Sequence, residues 1–541
     1  MADQSWDVCV VGSGAAGGMA AWALASRGVG VLLLEAGDWV RASQFIGHQW
    51  PYQLPGRGLD REYSRRLMAR EPFESRGEAA PFGFGVVRAV GGKSLLWSAH
   101  VFRFSPYDFA SARKMGADID WPIRYDDLAP HYDRVERLMG VAASRQNHPN
   151  VPDYADPMKP IGLRCCDREL QRGLRKLNRG YSLLPLPKAI NTRRRDGRPA
   201  CHWCGHCNFG CEIESKYTSA NTPVPKALQT GRCTLLTRAF VTGLEVQGGR
   251  IRSLRYLDAG REERRAQARA FVLACGPIET ARLLLATGIA NSSGQVGRNL
   301  ISHINPSVQG YLPQLEGAPI VNDDGTDNFH GIIPDIYWQT PHRDFTGGYH
   351  FQTSGGVQQG IHFGRGCQWA GAVAGYGTAF KRQVRRRLTG LVGLHPQGVM
   401  LPSRNNFVEL DPTEKNDFGL PVPILHFSYG ANERAMYRDM MDRSAEIIEA
   451  AGGRVTGRSP RLSHDPFHYV GTCRMGDDPR RSVVNRYCQA HDVPNLFIAD
   501  GSTFTAYPEK NPTLTVLALS LRAASYLAEE LRKGNFIAKA L

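Results

Sequence analysis

Residues 7–38, DVCVVGSGAAGGMAAWALASRGVGVLLLEAGD, decide the fold. DVCVV predicts a buried strand, Gly12, Gly14 and Gly17 open a helix of small residues, and VGVLLLE predicts a second strand that ends at Glu35. This order of strand, tight turn, helix and strand is that of a dinucleotide-binding unit, whose glycines let backbone N–H groups approach a pyrophosphate at a helix N-terminus. Glu35 stands at the spacing of an acid that bonds ribose hydroxyls. A carboxylate there would repel a 2′-phosphate, which argues against NADP and leaves NAD and FAD. Three glycines alone are equally those of a helix packed closely on a sheet; the flanking strands and the placed acid favour the nucleotide.

Outward from that unit, 541 residues with 42% hydrophobic and 22% charged side chains are enough to bury two cores, and the domains are expected to interleave. The formal charge of +15 suits an acidic partner or an anionic surface. The run Arg193-Arg194-Arg195 reads as a solvated loop or a docking face for an acidic redox partner, and without a recognised binding module a nucleic-acid role is set aside. No window has the long uncharged apolar run of a spanning helix, and MADQSWDVCVV lacks a signal peptide's segments, so a soluble protein made in the cytoplasm is expected.

Further along, 39–200 is irregular, with short helical pieces such as 125–137. Strands are predicted over 233–246 and 250–257, followed by a charged bend at GREERRAQ (260–267), an apolar strand at AFVLACG (270–276) and a helix over 277–287. From 304 to 453, alternating segments broken by glycines predict an antiparallel sheet, with a helix near 431–451. The chain then returns to strand at Asp500-Gly501 and ends in a helix from Pro512 to about Leu531. The fold class expected is α/β: a discontinuous Rossmann-like domain with an inserted α+β substrate domain. The partition is 1–45, 85–105, 200–303 and 465–541 for nucleotide binding, and 46–84, 106–199 and 304–464 for the substrate domain, a lid and a cysteine loop.

Four of the twelve cysteines, Cys201, Cys204, Cys207 and Cys211, follow C-x2-C-x2-C-x3-C. That is the spacing with which one loop wraps an iron–sulfur cluster, although Glu212 stands where a proline usually follows. Structural zinc, with His202 or His206 as substitute ligands, and a loop whose cysteines only pack or pair are the alternatives. Cys165 and Cys166 are candidates to lie nearby.

Several segments in order resemble the glucose-methanol-choline (GMC) family of FAD oxidoreductases. They are VVGSGAAGG with LLLEAGD, VGGKSLLWSAHVFRF (90–104), LACGPIETARLLLATG (273–288), FHYVGTCRMG (467–476) and NLFIADGSTFTAYPEKNPTLTVLALSLRAA (495–524). The resemblance implies FAD as cofactor and a six-stranded antiparallel sheet in the substrate domain. It implies cofactor contacts at Gly12, Gly14, Gly17, Glu35, Gly91, Gly92, Ser94, Trp97, Asp500, Gly501, Pro512 and Thr513. Asp500 and Gly501 would follow the ribityl chain, and the helix from Pro512 would point its partial positive charge at the flavin pyrimidine.

His468 matches the family's catalytic histidine. Histidine suits the task because its ordinary pKa lies near operating pH, where it can take the hydroxyl proton as hydride leaves for flavin N5. The family's second position falls on Asn511, which can bond the substrate oxygen, although Asn511 followed by Pro512 also reads as a helix cap. Leu96 occupies the place where some relatives carry a flavin-linked histidine, so FAD is expected to be non-covalent, with His100 the remaining alternative.

The four-cysteine loop beside these motifs looks most like bacterial glucoside 3-dehydrogenases and sugar dehydrogenase large subunits. That implies a sugar, glycoside or polyol substrate, a small subunit and a cytochrome c as electron acceptor, and export to the periplasm with a partner. An oxidase, or an aminoglycoside-type tailoring enzyme using oxygen, is the rival within the family. A non-catalytic electron-transfer subunit is the rival outside it, and a pure carrier needs no base at His468. Trp338, Tyr349 and Trp369 are candidates to stack on a sugar ring, though aromatic residues in a sheet are more often core.

Overall fold

The structure, a computed structural model, describes residues 6–45, 68–69, 71–77, 85–110, 112–205, 207–319, 329–336, 343–355, 373–462 and 468–536. His206, Trp338, Trp369 and most of 46–84 lie outside the described residues.

Strand β1 (Trp6–Val11), helix α1 (Ala15–Ala25) and strand β2 (Val31–Leu34) form the expected unit. β1 runs parallel to β2 on one side and to the long strand Glu263–Leu273 on the other. Cys233–Leu236 adds beside β2, and Leu496–Ile498 adds beside the long strand, both parallel. Segments from the start, middle and end of the chain thus share one sheet. These strands read as unbroken apolar runs because both faces of a parallel sheet are covered. One cover is the pairing of α1 with the C-terminal helix Thr513–Arg532, where Ser520 Oγ donates to the Ala16 carbonyl at 2.7 Å.

Two local readings change. The expected single strand over 233–246 is two, Cys233–Leu236 and Phe240–Gln247, broken where Arg238 takes a positive φ of 53°. In the charged stretch 260–267, Glu263 to Gln267 are strand, paired antiparallel with Arg250–Leu257. Its charges are met on that exposed ribbon by Arg264–Asp258 at 2.9 Å and Arg265–Glu245 at 3.1 Å.

Among the described residues the second sheet has six strands, all pairs antiparallel, in the order Arg454–Arg458, Val308–Tyr311, Leu391–Gly398, Tyr349–Gly355, Phe329–Ile336 and Leu184–Pro185. Side chains alternate between its faces. Tyr349, Phe351, Val392 and Leu394 form a core with helices Ala431–Ala450 and Cys165–Leu177, the second of which the sequence reading did not anticipate. Tyr349 is therefore core, its hydroxyl donating to Asp439 at 2.5 Å, and it is not a sugar platform. The opposite face carries His350, Gln352, Ser354, His395 and Gln397.

The segment 304–464 divides between the two cores. Val408, Leu425 and Phe427, from the hairpin Phe407–Lys415 and Pro421–His426 and just after it, join the nucleotide-side core. Arg282, fully buried on helix Pro277–Thr287, holds the hairpin by donating to the Pro421 and Leu420 carbonyls at 2.7 and 3.1 Å.

Candidate active site

The glycine turn is shaped for close approach. A Cβ on Gly17 would lie 1.8 Å from the Gly12 carbonyl oxygen, and one on Gly12 would lie 2.7 Å from that of Ala274. Gly14, the N-cap of α1, has no side-chain cap and nothing within 4 Å of its Cβ position, so open space faces a helix N-terminus with amides to give. Gly92 borders the same space, its Cβ position 3.1 Å from the Gly14 Cα, and Gly91 N–H reaches Ser13 Oγ at 3.3 Å. Glu35 closes the turn by accepting from Ser13 N and Oγ at 3.0 and 2.6 Å and from Gly37 N at 2.9 Å. Burial pushes its carboxyl up, against the pull of those bonds. An uncapped helix end, an open cradle and an acid at the strand end together fit a dinucleotide.

Other sequence-predicted contacts are framework here. Ser94 Oγ donates to the Gly91 carbonyl at 2.5 Å and accepts from Ser219 N at 2.8 Å; Trp97 Nε1 donates to the Tyr217 carbonyl at 2.8 Å. Asp500 is buried and accepts from Gly276 N, Thr280 Oγ1 and Ser502 N at 2.9, 2.6 and 2.9 Å, holding the turn Gly501–Thr503 to the start of helix Pro277–Thr287. The C-terminal helix begins at Thr513 with Pro512 in the cap position, one residue later than expected.

Asn511 is consequently not the N-cap. Its Nδ2 lies 3.3 Å from His468 Nε2, and its Oδ1 accepts from Gln352 Nε2 and Gln397 Nε2, each at 3.3 Å. The structure thus brings His468 and Asn511 together against the polar face of the six-stranded sheet. It adds groups the sequence reading missed. His303 Nδ1 lies 3.2 Å from His468 Nδ1, and Gln352 Nε2 lies 3.0 Å from His350 Nε2. The alternation of His350 and Gln352 with Tyr349 and Phe351 was a legible sign of a buried polar face; His303, in LISHIN, carried no such sign.

Behind Asn511, Lys510 Nζ sits 2.8 Å from each of Asp108, Glu509 and Asn150. His100, the alternative flavin anchor, packs edge-on to Phe329 with ring centroids 5.6 Å apart, on the substrate-sheet side.

Two of these histidines are held neutral. Burial pushes His350 down to about 3, and burial, aided by His468, drives His303 well below the ordinary value. The unfolded chain protonates both near pH 6.5, the folded chain only at lower pH. The contribution is therefore fully present above about pH 6.5 and is lost as pH falls, by up to about 1.4 kcal/mol per unit for each histidine. His350→Gln should flatten the pH dependence of the urea midpoint between pH 6.5 and 5; an unchanged slope would contradict the neutral reading.

The cysteine loop packs beside the 91–97 turn. Lys216, buried, donates from Nζ to the carbonyls of Leu95, Trp97 and Cys207 at 3.0, 2.9 and 2.5 Å, and Ser98 Oγ donates to Asn208 Oδ1 at 2.6 Å. Among the described residues no three His, Cys, Asp or Glu side chains gather to hold a metal ion, so the placement of Cys201, Cys204, Cys207 and Cys211 lends the expected cluster no support. The loop turns through positive φ at Trp203, Gly205 and Gly210, the Cys201 and Cys211 sulfurs accept from the Trp203 and Lys216 amides, and burial pushes the Cys201 thiol up to about 11. These residues as placed do not fit an iron–sulfur or zinc centre. Cys166 belongs to the other core. Of the basic run, Arg195 pairs with Asp156 at 3.1 Å. No helix among the described residues is long and apolar enough to cross a membrane.

Two family models described as GMC oxidoreductase match the chain, one over residues 12–305 and one over 402–520. The chain is 31% identical over 566 aligned residues to 2-methyl-1,2-propanediol dehydrogenase of Mycolicibacterium austroafricanum, covering 97% of this chain and 96% of that protein. It is 30% identical to the fructose dehydrogenase large subunit of Gluconobacter japonicus, covering 98% and 99%. Pyridoxine 4-oxidase from Mesorbium loti has the same fold, with a TM-score of 0.66 at 19% identity over 96% of this chain and 99% of that one.

Proposed function

The chain belongs to the GMC oxidoreductase family, and from that premise we propose that it is an FAD-dependent dehydrogenase of a sugar, glycoside or polyol, forming a carbonyl and passing electrons to an acceptor other than oxygen. The observation that carries the reading is the His468–Asn511 pair, 3.3 Å apart and held on the polar sheet face. Bound in the cradle, FAD would supply the hydride acceptor, flavin N5. The chain supplies the rest. His468 Nε2 takes the hydroxyl proton, and Asn511 Nδ2 donates to the substrate oxygen, steadying the developing alkoxide.

In this reading the amides at Gly14 face the pyrophosphate, with Gly12 and Gly17 allowing the approach, and Glu35 takes the ribose hydroxyls with its remaining lone pairs. Gly91, Gly92, Ser94 and Trp97 shape the flavin's surroundings, while Asp500 and Gly501 border the ribityl chain. The N-terminus of the helix at Pro512 and Thr513 directs its partial positive charge toward the flavin pyrimidine. Leu96 leaves no side chain to bond the flavin, so acid precipitation should release FAD into the supernatant.

Two full-length relatives named as dehydrogenases support the choice over an oxidase, and the large-subunit relative supports a partner subunit, for which the charge of +15 favours an acidic docking face. The test is anaerobic mixing of the holoenzyme with a panel of monosaccharides, glycosides and diols. Substrate should bleach the oxidised flavin, and aerobic turnover should yield little peroxide while an artificial acceptor restores it. Peroxide equal to substrate consumed would make it an oxidase, and no reduction by any alcohol would end the proposal.

A further inference from the structure

We propose that His303 sets the tautomer of His468, and so keeps Nε2 unprotonated and able to take the substrate's proton. The proposal rests on His468 acting as the base, and His303, which acts through it, is a positioning residue. His303 is fully buried, with its ring stacked on Tyr507 at a centroid distance of 4.0 Å. Its Nε2 lies 2.8 Å from the Pro508 carbonyl. A carbonyl only accepts, so Nε2 bears the proton. The neutral ring then has a bare Nδ1, which faces His468 Nδ1 at 3.2 Å. Two bare nitrogens would repel, so His468 carries its proton on Nδ1 and its Nε2 is unprotonated.

A second route, through different side chains, gives the same answer. Gln397 Nε2 lies 2.6 Å from the Glu509 carbonyl, which fixes the orientation of that amide. The same Nε2 reaches Asn511 Oδ1 at 3.3 Å, so the Asn511 amide must turn its Nδ2 toward His468. Nδ2 has only protons to give, and the atom 3.3 Å away is His468 Nε2, which must therefore accept. Two adjacent backbone carbonyls, of Pro508 and Glu509, thus specify one tautomer from opposite sides of the ring. His303, whose other histidine neighbours by charge are His468 and His350, stays neutral because burial opposes its cation, and a cationic His303 would have no lone pair to receive the Nδ1 proton. When His468 takes a proton at Nε2, the Nδ1–H remains donated to His303, so the ring keeps its aim while it is charged.

The direct test is nitrogen NMR of the holoenzyme carrying ¹⁵N-histidine, with the His468 signals assigned by their loss in His468→Gln. Protonated Nδ1 and bare Nε2 near neutral pH is the expected result; the reverse tautomer overturns the proposal. His303→Leu should lower the limiting rate of flavin reduction by about tenfold to a hundredfold, less than loss of the base itself, with KM within about threefold. His303→Asn, whose Oδ1 can accept from Nδ1–H, should recover most of that rate, which general loosening of the core would not. An unchanged rate in His303→Leu overturns the proposal, and if that variant does not fold, the spectrum of the unsubstituted protein decides alone. Full flavin reduction in His468→Ala would instead end the base assignment, whereas the tautomer reports on His303 in either case.

Discussion

His468→Ala is expected to keep FAD bound and to slow its reduction by substrate by about 10²–10⁴-fold, the usual worth of a positioned general acid–base group. The neighbours named above are poor substitutes for it. His303 is buried with Nε2 held by the Pro508 carbonyl and Nδ1 turned to His468. His350 is pushed down to about 3 by burial, with its Nε2 lying 3.0 Å from Gln352 Nε2. Asn511 is an amide and has no basic nitrogen. FAD retention follows because the cradle at Gly12, Gly14, Gly17 and Gly92 is built by other segments. Rapid mixing under anaerobic conditions, with flavin absorbance as the readout, reports both quantities; reduction at the unsubstituted rate would remove His468 from the chemistry.

Lys510→Met should cost about 3–5 kcal/mol of stability, the usual penalty for breaking a buried charge group by removing one partner. Lys510, Asp108 and Glu509 are each at most 5% exposed, and one ammonium lies 2.8 Å from both carboxylates. Burial works against the Lys510 charge, but the two acids outweigh it and hold its pKa above the ordinary value. Without it, Asp108 and Glu509 face each other in a buried site. Asn150, which donates from Nδ2 to Glu509 and accepts at Oδ1 from Lys510, loses the second of these bonds. The adjoining Asn511 would lose its fixed backbone, so slower flavin reduction should accompany the lower denaturation midpoint. Adding Asp108→Asn and Glu509→Gln to Lys510→Met should recover most of the stability, because the cost lies in unpaired charge and not in lost packing. A single variant within about 1 kcal/mol of the parent would contradict this account.

Legibility from sequence followed the range of the interactions involved. β1, α1 and β2 were readable because apolar periodicity, small-residue packing and the glycine turn all act within 30 neighbouring residues. Helix Ala431–Ala450 and the alternation within the strands of the second sheet were readable for the same reason. The cysteine spacing was equally plain, yet spacing says nothing of where the sulfurs point. Positive φ angles at Trp203, Gly205 and Gly210 and the Lys216 anchor direct them instead. Asn511 followed by Pro512 looked like a helix cap, and the helix begins one residue later.

The sequence by itself determined the nucleotide unit, the family and the motif positions His468 and Asn511, since each is written in contiguous residues whose local geometry is nearly context-free. Only the tertiary structure decided what those two residues meet. His303 reaches His468 across 165 residues of chain, Gln397 reaches Asn511 across 114, and Lys510 reaches Asn150 across 360. Periodicity says that a side chain turns inward. Which donor or acceptor waits there is set by how the sheets and helices dock, and it is that long-range hydrogen bonding which surrounds the two nitrogens of His468.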